Sequence, residues 1–196
     1  MPVTTNQSIF ADIGDYIVFI WDTIFNPEIA YAAGATFFSL KGRRMLKQLE
    51  GIRFFAYADG DGSPITHVNQ KYKGFPTIGV GHLLQKEEVT EKLIKEGWTP
   101  SQVDQALELD LFRFEYNLRS HLRRELNQNQ WDALIIYSFN IGINAFNKST
   151  LLRMVNQGDF KGASRQFERW VYSGGKKLPG LVNRRLKEKA LFLGEL

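Results

Sequence analysis

The stretch EGIRFFAYADG, residues 50–60, holds two carboxylates, Glu50 and Asp59, with eight residues between them and Arg53 as the only cation in the interval. Acid/base work needs two such groups in unlike surroundings. The run LKGRRMLKQLE, with Ser39 before it as N-cap and Gly51 after it, reads as a short helix that places Glu50 in its last turn. There the carboxyl group meets the negative end of the helix dipole. Partial burial beside Phe54, Phe55 and Tyr57 adds to the cost of the ion, so both effects favour the neutral acid. Asp59 opens a loop rich in Gly, Asp and Ser, where water and backbone amides keep it ionised. One proton donor and one carboxylate of this kind can hydrolyse a glycosidic bond. Two surface charges flanking an aromatic strand are the plainer reading, and the pair alone does not separate the two.

TIGVGH, residues 77–82, raises the odds for chemistry. Thr77 offers a hydroxyl that can hold a water, and Gly79 and Gly81 let backbone approach a ligand without interference from a Cβ. His82 is either a base or a brace, and a lone histidine more often braces. His67, His82 and His121 lack metal-ligand spacing and there is no cysteine, so no metal and no thiolate chemistry is expected. DGDGSP resembles the start of a calcium loop, but that register puts Pro64 where the turn needs Gly and Gln70 where a bidentate Glu is needed.

These residues need elements to hold them. RFFAYA and PTIGVGHLL carry the aromatic and β-branched character of strands, so residues 50–85 read as a small helix-plus-sheet unit. Beyond Thr99 the pattern is helical. Val103, Leu107, Leu111, Phe114 and Leu118 form one stripe, followed by QWDALIIYSF, STLLRMVNQ closed by Gly158, DFKGASRQFERW after an Asp cap, and a last helix from Leu181. The fold class is α+β, with a small sheet lobe and a larger helical lobe.

The 196 residues are 43% hydrophobic and 23% charged, which suits one globular domain with an appendage. The net charge of +4 hides an asymmetry: residues 1–40 have four acids and no Lys or Arg, leaving +8 on the other 156. A basic body suits an anionic partner such as nucleic acid, a membrane surface or a cell wall. Ile9 to Ile24 recur at helical spacing and Asn26–Glu28 reads as a restart, so residues 1–38 are expected to form a helical extension that packs on the body or docks a protein partner. The apolar run YIVFIW stops at Asp22 and has no basic residues before it, so neither a signal peptide nor a membrane span is expected.

Glu50 with Asp59, then TIGVGHLL, SFNIG, STLLRMVNQGDF, FERW and LPGLVNRRLKEKALF, in that order, resemble the phage-type lysozymes of glycoside hydrolase family 24 over residues 39–193. The resemblance implies a lysozyme domain at 39–196 with a cleft between its lobes, acting on bacterial peptidoglycan as a monomer without a cofactor and with no nucleic-acid partner. It implies Glu50 as general acid, Asp59 as the carboxylate that works with water, and Thr77 as the hydroxyl that positions that water. The family's pattern also supplies an arginine from the last helix. If Val182, Leu186, Ala190 and Leu193 face the core, Arg185 borders that face and Arg184 points away, which favours Arg185. His82 and Asp110 match a structural ion pair, and Gly81, Leu83, Phe139 and Asn140 match substrate-binding positions. Trp170 resembles the aromatic that closes the helical lobe, and for it and Phe139 plain core packing weighs about as much as sugar contact. Synthesis in the host cytoplasm and action on the wall in the periplasm, after release or delivery, follow from the same resemblance. Seventeen residues separate Asp59 from Thr77, twelve more than the family's five. Pro64 and Pro76 bracket this insertion, so an ordered, extended hairpin is expected, and Asp61 stands as the alternative to Asp59.

Overall fold

The computed structural model describes residues 36–196. The chain divides into two units, Met1–Phe37 and Phe38–Leu196, and the elements named below belong to the second. The helical pattern expected between Ile9 and Ile24 and the restart at Asn26–Glu28 lie outside the described residues.

Among the described residues Ser39 caps the first helix, α1 (Leu40–Glu50), by accepting a 3.0 Å hydrogen bond from the Gly42 amide. Gly51 ends it at φ 76°, a left-handed backbone that glycine adopts without a Cβ clash. Leu46 is fully buried, with Met45 and Leu49 beside it, in the core of the helical lobe. Although α1 precedes the sheet in sequence, it therefore belongs with the helices. Asp132 fixes its start: wholly buried, it accepts the Ser39 amide at 3.0 Å, the Ser39 hydroxyl, and Gln128 Nε2 at 2.9 Å.

Three antiparallel strands follow in the order β1 (Arg53–Ala58), β2 (Pro76–Gly79) and β3 (His82–Leu83). Tyr57 stands opposite Thr77, and Thr77 opposite Leu83. The inserted loop is ordered but not extended. It folds back on β1: Ala58 donates to the Ser63 carbonyl at 2.8 Å, Ile65 donates to the Ala56 carbonyl at 3.0 Å, and Tyr57 pairs with Pro64. The reason is Ile65, an apolar side chain in a polar loop, which joins Ala56, Ile78, Leu84 and Val89 in the sheet lobe's own small core. Gln70 closes the next turn, accepting from the Thr66 amide at 2.8 Å and donating to the Pro64 carbonyl at 3.0 Å.

A short helix α2 (Glu91–Glu96) leads to α3 (Pro100–His121), whose start carries a capping box from Thr99 and Gln102 with Pro in the first turn. Val103, Leu107, Leu111 and Leu118 of the expected stripe are buried, and Phe114 is partly so. The central helix α4 (Gln128–Ile141) is buried from Trp131 to Ser138, as a helix enclosed by others must be. Around it lie α5 (Ile143–Asn147), α6 (Thr150–Gln157), α7 (Phe160–Gln166) and α8 (Pro179–Leu193), with a small hairpin of β4 (Tyr172–Ser173) and β5 (Lys176–Lys177) before α8. Trp98 packs on both cores and so joins sheet lobe to helical lobe.

Candidate active site

Glu50 is presented from the helical lobe at the end of α1, where its side chain keeps 20% of its surface exposed. Arg184 on α8 donates from Nη2 to Glu50 Oε1 at 2.7 Å. The same guanidinium donates from Nε to Glu188 Oε1 at 2.9 Å, and Arg185 Nε lies 3.1 Å from Glu188 Oε2. Arg185 in turn donates to Asn140 Oδ1 at 2.6 Å and lies 4.8 Å from the centre of the Tyr137 ring. Charges thus alternate from Glu50 through Arg184 and Glu188 to Arg185. Arg185 and Glu188 have no exposed side-chain surface. Taking such ions out of water costs several kcal/mol each, which only close, opposite partners can repay. Burial raises Glu188 and outweighs the opposing pull of Arg185 and Arg184. Burial likewise lowers Arg185 and raises the Tyr137 phenol.

This arrangement corrects two expectations. The guanidinium bonded to Glu50 is that of Arg184, not Arg185. The buried face of α8 is Arg184, Arg185, Glu188, Leu191 and Phe192, whereas Leu186 and Leu193, expected inward, are 49% and 44% exposed. An apolar stripe marks the core face only where no charges are buried, and here Arg184, Arg185 and Glu188 are, as close ion pairs. Glu50 is partly buried as expected, while Phe54 and Phe55 themselves remain 40% and 56% exposed.

The sheet presents Asp59 and Thr77. The Asp59 amide donates to the Phe75 carbonyl at 3.0 Å, which extends the β1–β2 ladder by one pair, and Asp59 Oδ1 accepts the Phe75 amide at 2.7 Å. The next amide, Gly60, donates to the Lys73 carbonyl at 3.1 Å, which brings the chain at Gly74 close against Asp59. Gly74 sits at φ 82°, and a Cβ there would lie 2.0 Å from Asp59 Oδ1. Thr77 is buried, and its hydroxyl donates to the Phe75 carbonyl at 3.2 Å. Phe75 therefore ties both side chains through its main chain. Asp61, the alternative, accepts from the Ser63 amide at 3.0 Å within the loop, and the hydrogen bonds from Ser63 hold its carboxyl below the usual range.

His82 Nδ1 lies 2.8 Å from Asp110 Oδ2, and Asp110 Oδ1 accepts from Arg113 at 3.0 Å. Trp98 covers the imidazole, with ring centres 5.3 Å apart. The Asp110 hydrogen bond raises the His82 pKa despite desolvation. A histidine raised in the folded state contributes stability that is fully present below its unfolded pKa of about 6.5 and is lost as pH rises through the folded value. Asp110→Asn is therefore expected to lower Tm more at pH 6 than at pH 8.5. A deficit independent of pH in paired thermal melts would remove the ion-pair explanation.

Gly81, at φ 78°, faces Phe139, whose ring an added Cβ would approach to 3.9 Å. Phe139 is half-buried and stacks obliquely 5.0 Å from Phe114. Leu83 is 53% exposed opposite Thr77, and Asn140 is exposed with its side chain held by Arg185. Trp170 is 43% exposed and lines a cavity of about 450 Å³ with Tyr137, Gln166 and Arg169, which sets it apart from the core. Sequence reasoning missed Arg184, Glu188 and Tyr137. The legible signal was the i, i+4 spacing of Arg184 and Glu188.

A helical body whose first helix ends on an arginine-held glutamate, joined to a three-stranded sheet carrying Asp59 and Thr77, defines a lysozyme-like α+β fold. Residues 47–188 match the phage lysozyme family, and the chain belongs to it as a glycoside hydrolase. It is 38% identical over 159 residues to the endolysin of Acyrthosiphon pisum secondary endosymbiont phage 1, covering 79% of this chain and 96% of that protein. It is also 38% identical over 157 residues to the endolysin of Salmonella phage P22, covering 79% and 97%. Among solved structures, a mutant of P22 lysozyme superposes with a TM-score of 0.66 at 34% identity, covering 81% of this chain and 99% of that one.

Proposed function

We propose that the chain cuts the β-1,4 bond between N-acetylmuramic acid and N-acetylglucosamine in bacterial peptidoglycan, with Glu50 as general acid and Asp59 as the carboxylate that readies water. The observation that carries this reading is the 2.7 Å bond from Arg184 to Glu50, made by a guanidinium that Glu188 holds from the other side. A carboxyl group aimed by a fixed partner can meet the glycosidic oxygen in one orientation. The remaining oxygen, Glu50 Oε2, delivers the proton to the leaving sugar. Asp59, anchored by the Phe75 amide, takes a proton from water attacking the opposite face of the anomeric carbon, and the Thr77 hydroxyl orients that water.

Arg184 steadies the acid, and the His82–Asp110 pair braces the sheet against α3. Gly81, Leu83, Phe139 and Asn140 flank the glycan. The basic body suits the carboxylates of the wall's peptides. Among the described residues no helix is long and apolar enough to cross a membrane, which fits action on the wall after release or delivery.

Purified peptidoglycan incubated with the protein provides the test. New reducing ends on N-acetylmuramic acid are expected. Retention on the wall with no release would make the chain a binding module instead.

A further inference from the structure

We propose that the exposed ring of Phe75 is a sugar-stacking platform of this site, taking the apolar face of an N-acetylated sugar in the glycan strand next to Asp59. The proposal rests on the glycoside hydrolase reading above and names a recognition residue for it.

Phe75 has an unusual combination of a fixed main chain and a free side chain. Its amide donates to Asp59 Oδ1 at 2.7 Å, and its carbonyl accepts from the Asp59 amide at 3.0 Å and the Thr77 hydroxyl at 3.2 Å. On one side stands Gly74, where no side chain fits against Asp59, and on the other Pro76, which holds the preceding residue extended. The ring nevertheless remains 65% exposed. Thr77, two residues along the strand and on the same side by strand alternation, is only 2% exposed. Burial along this side of the strand thus ends between Thr77 and Phe75, at the carboxylate proposed to ready water.

The long loop could have covered this ring, but it folds to the other side of β1 through Pro64 and Ile65. A phenyl ring with two torsions on an anchored backbone loses little entropy on binding. Its face suits the axial C–H surface of a pyranose as it suits other apolar groups. Since Phe75 is bonded through its main chain to both Asp59 and Thr77, a sugar stacked on it lies beside the groups that act on the bond. Phe55, the other strongly exposed ring of the sheet, packs instead beside Gly97, whose added Cβ would stand 3.1 Å from it.

The test uses sedimentation with purified peptidoglycan in a Glu50→Gln background, so that binding is read without cutting. Phe75→Ala is expected to weaken retention by roughly 5- to 10-fold, while Phe75→Tyr and Phe75→Trp keep it. In the cutting chain, Phe75→Ala is expected to raise KM for soluble glycan fragments by a similar factor and to lower kcat by less than about twofold. Thermal melts should coincide, because an exposed ring contributes little to the fold. Unchanged retention and KM would overturn the proposal, as would a loss confined to kcat or a failure of every form to sediment with the wall. Should the unmodified chain release no reducing ends, the hydrolase reading fails alone, and sedimentation still decides the role of Phe75.

Discussion

Replacing Glu50 by Gln is expected to remove nearly all wall hydrolysis, a fall of about 10²–10⁴ in rate, while the protein stays folded. The amide is almost the same size as the carboxyl group, and its carbonyl oxygen can still accept the hydrogen bond that Arg184 now gives to Oε1. Glu188 keeps its own bond to Arg184, so the guanidinium does not lose all compensation. What the amide lacks is a proton to give to the leaving oxygen. The two properties are read separately, turbidity clearing of permeabilised bacteria for the reaction and thermal melting for the fold. Normal clearing by this variant would move the acid elsewhere.

The second large effect concerns stability. Glu188→Ala removes the anion between two arginines that follow one another on α8, and Arg185 has no exposed surface from which to reach water. Breaking a buried pair by deleting one partner costs about 3–5 kcal/mol, because the remaining charge is left bare. For a domain with a net stability of about 5–15 kcal/mol, that is a large share. Urea unfolding should show the loss as a lower midpoint with the slope unchanged. Activity should fall as well, since Arg184 would lose one of the two carboxylates that aim it. Glu188→Gln, which keeps the shape and one acceptor, should lie between wild type and Ala. A stability loss below about 1 kcal/mol for the alanine variant, obtained as slope times midpoint shift, would show that water or neighbouring groups compensate the arginines.

The same helix shows what sequence patterns can and cannot carry. The caps at Ser39, Thr99 and Asp159 and the stop at Gly158 are local chemistry, written in a few residues, and they stand where local rules put them. The stripe on α3 is legible for a similar reason, because most of its core-facing side chains are apolar. On α8 the rule picks the wrong face: a glutamate and two arginines are buried, and only their mutual pairing makes that tolerable. The pairing itself lies within α8, at i, i+4 and i, i+3 spacing, but the contacts that give it a role, to Glu50 on α1 and Asn140 on α4, lie in no single window of sequence. The Asp59–Thr77 insertion follows the same logic. Two prolines hint at order, but the direction of the fold-back depends on Ile65 finding a core built by β2 and the segment after β3. Glu50, Asp59 and Thr77 were legible as types at a spacing. Their tethers, Arg184 and the main chain of Phe75, were not.

Direct attack by water that Asp59 activates, while Glu50 protonates the leaving sugar, is the central claim. The anomeric configuration of the first product, followed by proton NMR during early digestion of soluble glycan fragments, tests this most directly. Single displacement at the β-linked carbon predicts that the fresh reducing end appears as the α anomer, with the β anomer growing only by mutarotation. Initial formation of the β anomer would mean a double displacement through a covalent sugar, and would contradict the roles given to Asp59 and its water.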